Sequence, residues 1–486
     1  MLTIEAREFR QAGLACVALT GAIAVSWAGS LGASFQFDDW NVVVGDPRVQ
    51  SLAAWWHSLP GIRPLLKLSY ALNHEIGGGA RGFRVFNICV HALNAILLFG
   101  LFRRRARATK CGAALLVAAT AAVLFALEPV QTEAVTYISG RSSSLAALPC
   151  LAALRCWELA LERPSGIAMH AAGVTCYVIA LLIKETAWVL PLAIVLWHHT
   201  RGPHAPSEAE PGGRPDPWRP VERRALLAYG AISILAVTAA LTSTTYGRLL
   251  RTSLHERSIA ENLSIQAEGW GFLCRELVRL AGLNADPQLA QVIGAHGHAG
   301  LLWGLFWLLL LSCAWAVRRR APQVTFGVLW FYLWLLPTNS LLPRLDVAND
   351  RQLYLALAGP AWLLALALGW VVARVHSSAA QRALGWSVPA VFALVLGMAT
   401  VERNRVYATE IVFWQDVLIR GPTNARAANN LGIAYALSCR DAAAASQFTR
   451  AIALDPDGFR ARVNLRLLRA QQLTRRDGSH CRLLAP

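Results

Sequence analysis

Long uncharged apolar blocks alternate along this chain with short polar joints. A bilayer core about 30 Å thick takes roughly 20 apolar residues at about 1.5 Å each. On that measure the blocks predict membrane spans near 13–32, 84–102, 111–127, 143–161, 167–183, 186–197, 225–244, 300–317, 324–336, 352–373 and 384–401. Eleven crossings put the two chain ends on opposite sides. Composition agrees: the 486 residues are 55% hydrophobic and 15% charged, whereas soluble domains carry about 25% charged residues. The expected fold class is an all-α integral membrane protein. The first block is longer than a signal-peptide apolar region and no small-residue cleavage site closes it, so no cleaved signal is expected.

The net charge of +17 would fit a nucleic-acid partner were it spread over a soluble surface. Instead the basic residues cluster at span ends: Arg103, Arg104, Arg105 and Arg107 after the second, Arg223 and Arg224 before the seventh, Arg318, Arg319 and Arg320 after the eighth, Arg374 and Arg382 around the loop after the tenth. With a cytoplasmic N-terminus all of these fall inside, as the positive-inside rule asks. Reading 167–197 as one kinked span would put the later clusters outside, so two spans are expected, with Lys184 and Glu185 at an outer turn. No nucleic-acid partner is expected. Most cysteines, Cys111 among them, lie in apolar spans as small hydrophobes. Cys274, Cys439 and Cys481 fall on the outer side, and no zinc-type cluster is present.

Three outer segments are long enough for structure: 34–81, 245–300 and 402 to the C-terminus. Apolar residues at helical spacing in 52–59, 63–74 and 270–283 predict amphipathic helices lying on the interface. The inner loop 203–220 reads as a linker from its Pro, Gly and Glu content. The chain divides into a membrane domain, 1–401, and a C-terminal segment, 402–486. Within the latter, 425–458 fits one tetratricopeptide unit, with Leu431, Gly432, Tyr435, Ala444, Phe448, Ala451 and Pro456 at the repeat's spacings. One full unit with flanking halves needs support from its neighbours. It forms either a groove for an acceptor peptide or a helical brace over the loops.

The candidate chemistry begins just past the first span, where Asp38 and Asp39 are delivered to the outer face. Such a pair supplies a general base or a hard-cation site; alternatively it caps a helix or anchors the span. Asp38 is the first candidate base and Asp39 the close alternative, with Glu133 orienting the base. The same three carboxylates are the candidate ligands of a divalent cation, Mg²⁺ or Mn²⁺. Arg63, Arg141, Lys184 and Arg351 stand near outer span ends and are candidate phosphate ligands, their plain alternative being interfacial anchors. His74, Glu185 and Asp350 are candidate donor or acceptor contacts. His91, one turn after Asn87 inside the second span, is expected to hydrogen-bond another helix.

Several of these residues lie in an ordered set of motifs. The run 128–145, EPVQTEAVTYISGRSSSL, resembles the H-P-x-x-T-E-A-V…G-R-A-D element of the transmembrane and tetratricopeptide-repeat-containing O-mannosyltransferases. FDDWNVVVGDPRV at 37–49, RPLLKLSYALNH at 63–74, FRVFNICVHALNA at 83–95, KETA at 184–187 and NDRQLYLALAG at 349–359 resemble further elements of that family, in the same order. The resemblance implies a GT-C-type bundle and transfer of a sugar from a lipid phosphate. Glu128, Gln131, Ser142, Ser143 and Asp350 depart from the family pattern, which bears on the sugar and the acceptor. The arginine and alanine loading and short loops look bacterial, which points to the inner membrane and a polyprenyl-phosphate carrier. The expected function is an inverting glycosyltransferase moving a sugar, such as mannose, to an extracytoplasmic hydroxyl on protein Ser or Thr or on a glycan. The alternative is a non-catalytic scaffold or lipid-linked-sugar transporter that recruits a partner through its repeat. Acids gathered at one face, rather than at mid-membrane between repeated halves, favour the enzyme.

Overall fold

The computed structural model describes residues 2–59, 61–108, 113–163, 165–201, 218–289, 299–341, 343–344 and 346–475. Cys111, Cys481, most of the 203–220 linker and the tail after 475 lie outside the described residues. Among the described residues the regular structure is entirely helical. Six helices are long and apolar enough to cross a membrane: α1 (Leu2–Ala28, extended by a 3-10 turn to Gly32), α4 (Gly79–Ala108), α7 (Arg141–Leu161), α10 (Pro220–Thr242), α13 (Ala299–Ala316) and α17 (Ser378–Val406). Two bent helix pairs pass the same test of length and apolarity together. The pair α5 (Ala114–Leu127) with 129–135, which includes α6 (Thr132–Val135), breaks by 49°; the pair 350–356, which includes α15 (Leu353–Ala356), with α16 (Ala358–Val372) breaks by 54°.

Six to eight crossings by length and apolarity among the described residues are fewer than the eleven expected. The blocks at 167–183, 186–197 and 324–336 form α8 (Ile167–Ile183), α9 (Leu190–Thr200) and α14 (Pro322–Leu335), of 17, 11 and 14 residues. An 11-residue helix rises only about 16 Å, short of the roughly 30 Å apolar core of a bilayer. The chain does turn at Lys184: α8 ends there and α9 runs back, so that the Thr200 carbonyl meets Arg105 at 2.8 Å.

The bundle closes around α5, whose Ala and Val faces are buried on nearly every side against α4, α16 and α17. Small residues permit this packing where helices offer each other little hydrophobic drive. Gly359 is a case in which only glycine fits, since a Cβ there would lie 2.3 Å from the Gly327 carbonyl oxygen of α14. His91 joins the same core through Tyr354 Oη at 2.7 Å and the Ala126 carbonyl at 2.9 Å, the interhelical role expected of it.

Antiparallel packing gives the bundle two chemically different ends. At one, Arg103 and Arg107 of α4 meet Glu8 of α1, and Arg104 meets Glu158 and Glu162 of α7. At the other lie the N-termini of α4 and α7, the C-terminus of α8 and the loop after α1. Over that second end sit α2 (Leu52–Ser58), α3 (Pro64–Ile76), α11 (Thr244–Glu256), α12 (Ile259–Glu276) and the C-terminal helices α18 (Glu410–Arg420), α19 (Ala425–Leu437), α20 (Asp441–Leu454) and α21 (Phe459–Arg475). Gly432 of α19 lies against the Phe448 ring of α20, and Ala444, Phe448 and Ala451 are buried. The C-terminal helices are tied down by Arg426 and Asn424, which donate to Asp286 at 2.9 and 3.1 Å, and by the Phe37 ring edge-on to Trp414 at 5.2 Å.

Candidate functional site

The loop after α1 is shaped by its own acids. Asp39 is fully buried, with Oδ2 accepting from Gln36 N–H at 3.0 Å and Oδ1 from both Ser139 N–H at 2.7 Å and Ser139 Oγ at 2.6 Å. Arg84, also buried, donates to the carbonyls of Ala33, Ser34 and Thr136. These bonds lock the loop onto the 136–140 turn and send the two neighbouring carboxylates opposite ways. Asp38, whose N–H donates to Tyr137 Oη at 3.2 Å, turns its half-buried carboxylate toward a cleft. Burial raises both pKa values, Asp39 to about 6 despite its three hydrogen bonds; at Asp38 the Arg351 charge opposes the rise.

The short arms of the two bent helix pairs supply the next pair. Glu133, on α6, accepts from Arg351 N–H at 3.0 Å and pairs with the Arg351 guanidinium at 3.1 Å. Glu133 lies on the short arm 129–135 and Arg351 on the short arm 350–356, so the ion pair ties the two short arms together, while Gln131 and Thr400 donate to the carbonyls of Phe125 and Leu127 at the first break. Gly140 makes the approach possible, because a Cβ there would sit 1.8 Å from the Glu133 carbonyl oxygen.

Arg351 borders two cavities. The first, of 430 Å³, is lined by Asp38 and by Arg48, Arg63, Lys67, Lys184, Arg344 and Arg351. Within it Arg63 is paired with Glu185, and Arg48 and Lys67 share Asp46 at 2.8 and 3.3 Å. Lys184 Nζ donates to Ser143 Oγ at 2.7 Å. From Lys184 and Arg351 a narrow crevice continues between α7 and α14, past Ala146, Ala147, Cys150, Trp334 and Leu355. The second cavity, of 280 Å³, lies under the C-terminal helices, with Phe37, Glu133, Tyr137, Trp414 and Arg426 among its lining. Burial would raise the Glu185 carboxyl, but the charge and hydrogen bond of Arg63 oppose it and the pKa is lowered to about 2. Lys184 is pushed well below its ordinary value by burial and then by the Arg63 charge.

Asp38, Arg63, Lys184 and Arg351, chosen from sequence, therefore meet in one cleft. Others are placed elsewhere. Arg141 is fully buried and spends its guanidinium on Asn87 Oδ1 at 2.5 Å, Ser69 at 3.2 Å and the Phe83 carbonyl at 2.9 Å; it fixes α3 against α4 and has no face toward the cleft. His74 bonds the Val43 carbonyl at 3.3 Å and packs edge-on against Phe83. Glu185 serves Arg63. Asp350 is buried, and both its carboxylate oxygens lack a hydrogen-bond partner among the described residues. The proposed cation set of Asp38, Asp39 and Glu133 does not assemble: Asp39 is saturated by hydrogen bonds, Glu133 by Arg351, and no group of three metal-type side chains converges among the described residues. Sequence reading missed Asp46, Arg48, Lys67, Tyr137 and Arg344. The G-D-P-R turn was the available signal for the first two; Tyr137 and Arg344 had none beyond lying beside motifs.

An all-helical integral membrane protein with a cation-rich cleft at one end is the class these features define. No family model matches the chain. It is 31% identical over 155 residues to the protein O-mannosyl-transferase TMTC4 of Homo sapiens, covering 27% of this chain and 21% of that protein. With TMTC4 of Mus musculus it shares 24% identity over 465 residues, 84% of this chain and 62% of the relative. With the protein O-mannosyl-transferase Tmtc2 of Drosophila melanogaster it shares 32% over 201 residues, 37% of this chain and 21% of the relative. The chain thus spans between about a fifth and three fifths of the length of these curated relatives, and its similarity is to glycosyltransferases.

Proposed function

We propose that the protein is an inverting glycosyltransferase that moves a sugar, mannose by the analogy of its relatives' names, from a polyprenyl-phosphate donor to a Ser or Thr hydroxyl of an extracytoplasmic protein. The observation that carries this reading is Asp38, among the described residues the one carboxylate lining a cleft of cations that opens at Lys184 and Arg351 onto a narrow crevice between α7 and α14. In this scheme the donor phosphate sits among the cations, with its lipid chain directed along the crevice. The acceptor enters from the cavity under α18 and α19, which we read as part of a tetratricopeptide unit bracing that cavity. Asp38 takes the acceptor proton as the hydroxyl oxygen attacks the anomeric carbon; the bond from that carbon to the phosphate oxygen breaks, and the lipid phosphate departs. Attack opposite the leaving group inverts the anomeric centre. A base held in hydrogen-bond reach contributes about 10² to 10⁴ in rate. Cations fixed where charge develops contribute without reorganising. Arg63 and Arg351 arrive already paired with acids, so they orient the cleft more than they add net charge.

The test is transfer by the purified full chain in nanodiscs from polyprenyl-phosphate mannose to a Ser/Thr peptide library, with the product's anomeric configuration read by NMR. An α- or β-linkage opposite to the donor's is expected. Retention of configuration, or no transfer from any lipid-phosphate hexose tried alongside mannose, overturns the reading.

A further inference from the structure

The cations of the cleft divide by partner. Arg63 is matched by Glu185, Arg48 and Lys67 by Asp46, and Arg351 by Glu133. Two have no ion pair among the described residues: Lys184, whose Nζ bonds the neutral Ser143 hydroxyl, and Arg344, in the segment between α14 and the 350–352 turn. Arg344 is held from behind, its carbonyl accepting from the Arg257 guanidinium. Both line the cavity into which Asp38 faces, and both are half-buried. Buried charges are costly unless matched. Repulsion from Arg63 and Arg351 adds to the downward pull of burial on Lys184 and Arg344, and the charges of Glu185, on both, and Asp346, on Arg344, oppose it.

Resting on the reading of this cleft as the donor site, we propose that Arg344 and Lys184 are the residues that hold the departing phosphate, Arg344 through its planar fork and Lys184 as a point charge. The charge count supports the assignment. A lipid-phosphate sugar is a diester with one negative charge. When the bond to the anomeric carbon breaks, the pair of electrons stays on the phosphate oxygen, and the lipid phosphate leaves as a monoester with up to two. As Asp38 takes the acceptor proton, the negative charge it carried passes to the phosphate, so cations that hold the phosphate meet a charge that grows at their own position. An interaction that strengthens as the bond breaks raises kcat and leaves KM for the donor little changed. Fork geometry makes Arg344 the more specific of the two, since guanidinium meets two phosphate oxygens at once.

The experiment compares binding of farnesyl phosphate, farnesyl methyl phosphate and farnesol to the detergent-solubilised full chain, followed by transfer kinetics. The wild type should bind the monoester more tightly than the methyl diester and both more tightly than farnesol. Arg344→Gln should lose the preference for the monoester, Arg344→Lys should keep part of it, and turnover in Arg344→Gln should fall by about 10²-fold with KM within a few-fold, the size seen when one preorganised donor to a developing anion is removed. If Arg344→Gln, folded as judged by an unchanged melting temperature, keeps the full monoester preference and turnover, the assignment of Arg344 is overturned while the donor reading stands. If the wild type binds farnesyl phosphate no better than farnesol, the donor reading fails, and this inference with it.

Discussion

Asp38 and Asp39 are adjacent, identical in chemistry and opposite in employment. Asp39 accepts hydrogen bonds from Gln36 and Ser139 through both oxygens, whereas Asp38 faces the cleft. Asp38→Asn should therefore lower transfer by about 10² to 10⁴ with an unchanged melting temperature. Asp39→Asn should destabilise the fold by about 1–3 kcal/mol, because one amide oxygen cannot accept from all three donors and its NH₂ group meets an N–H. Wild-type turnover in the first variant removes Asp38 as the base; wild-type stability in the second removes Asp39 as the tie. The pH dependences have opposite senses. Asp38 acts as base only when ionised, and burial raises its pKa, so turnover should rise with pH along an acidic limb lying above the ordinary aspartate value. Asp39 has a folded pKa of about 6 against 3.8 for the free side chain. The folded state then binds its proton more tightly, so this contribution to stability is complete below about pH 4 and is lost as pH climbs through about 6. Unfolding followed across that window should show the loss in the wild type and its absence in Asp39→Asn.

At the scale of elements, two bent helix pairs meet through their short arms. Glu133 and Arg351 lie on those short arms and join them, so a double-mutant cycle with Glu133→Gln and Arg351→Gln should give a coupling of about 1–3 kcal/mol, as for contacting residues in one ion-pair network. Additive effects would mean that the two arms are held together by something else. Gly140 sets the clearance for that pair. Gly140→Ala drives a methyl into the Glu133 carbonyl and should cost about 1–3 kcal/mol as overpacking does, with a further loss of turnover as Glu133 moves from Arg351. Gly100→Ala on α4, where nothing lies within 4 Å of the added carbon, is the control and should leave both stability and turnover at wild-type values.

The whole molecule carries its charge asymmetrically, with arginines paired to Glu8, Glu158 and Glu162 at one end and the cleft at the other. The arginine end is expected in the cytoplasm, and the prediction concerns sidedness. Cysteines introduced at the exposed positions Asp457 and Ala379 should label from opposite sides with a membrane-impermeant thiol reagent, Asp457→Cys from outside and Ala379→Cys only after the membrane is opened, each scored above the native-cysteine signal. Labelling of both from one side would separate the C-terminal helices from the face on which an exported acceptor must arrive.

Sequence by itself determined the membrane class, the positions of the apolar helices, the ends at which arginine collects and the candidacy of Asp38, Arg63, Lys184 and Arg351, because each of these follows from local hydropathy or from distance to a span end. Tertiary structure decided what each charge is for. Arg141 and Arg351 look alike in sequence near outer span ends, yet one is consumed by Asn87, Ser69 and Phe83 while the other borders both cavities. The shortness of α9 and α14, at 11 and 14 residues, is not legible in hydropathy, because an apolar run does not distinguish a surface turned to lipid from one turned to another helix. Arg344 went unread for the same reason: whether a cation is paired depends on carboxylates far away in the chain, and only folding brings those within reach or leaves them out of it.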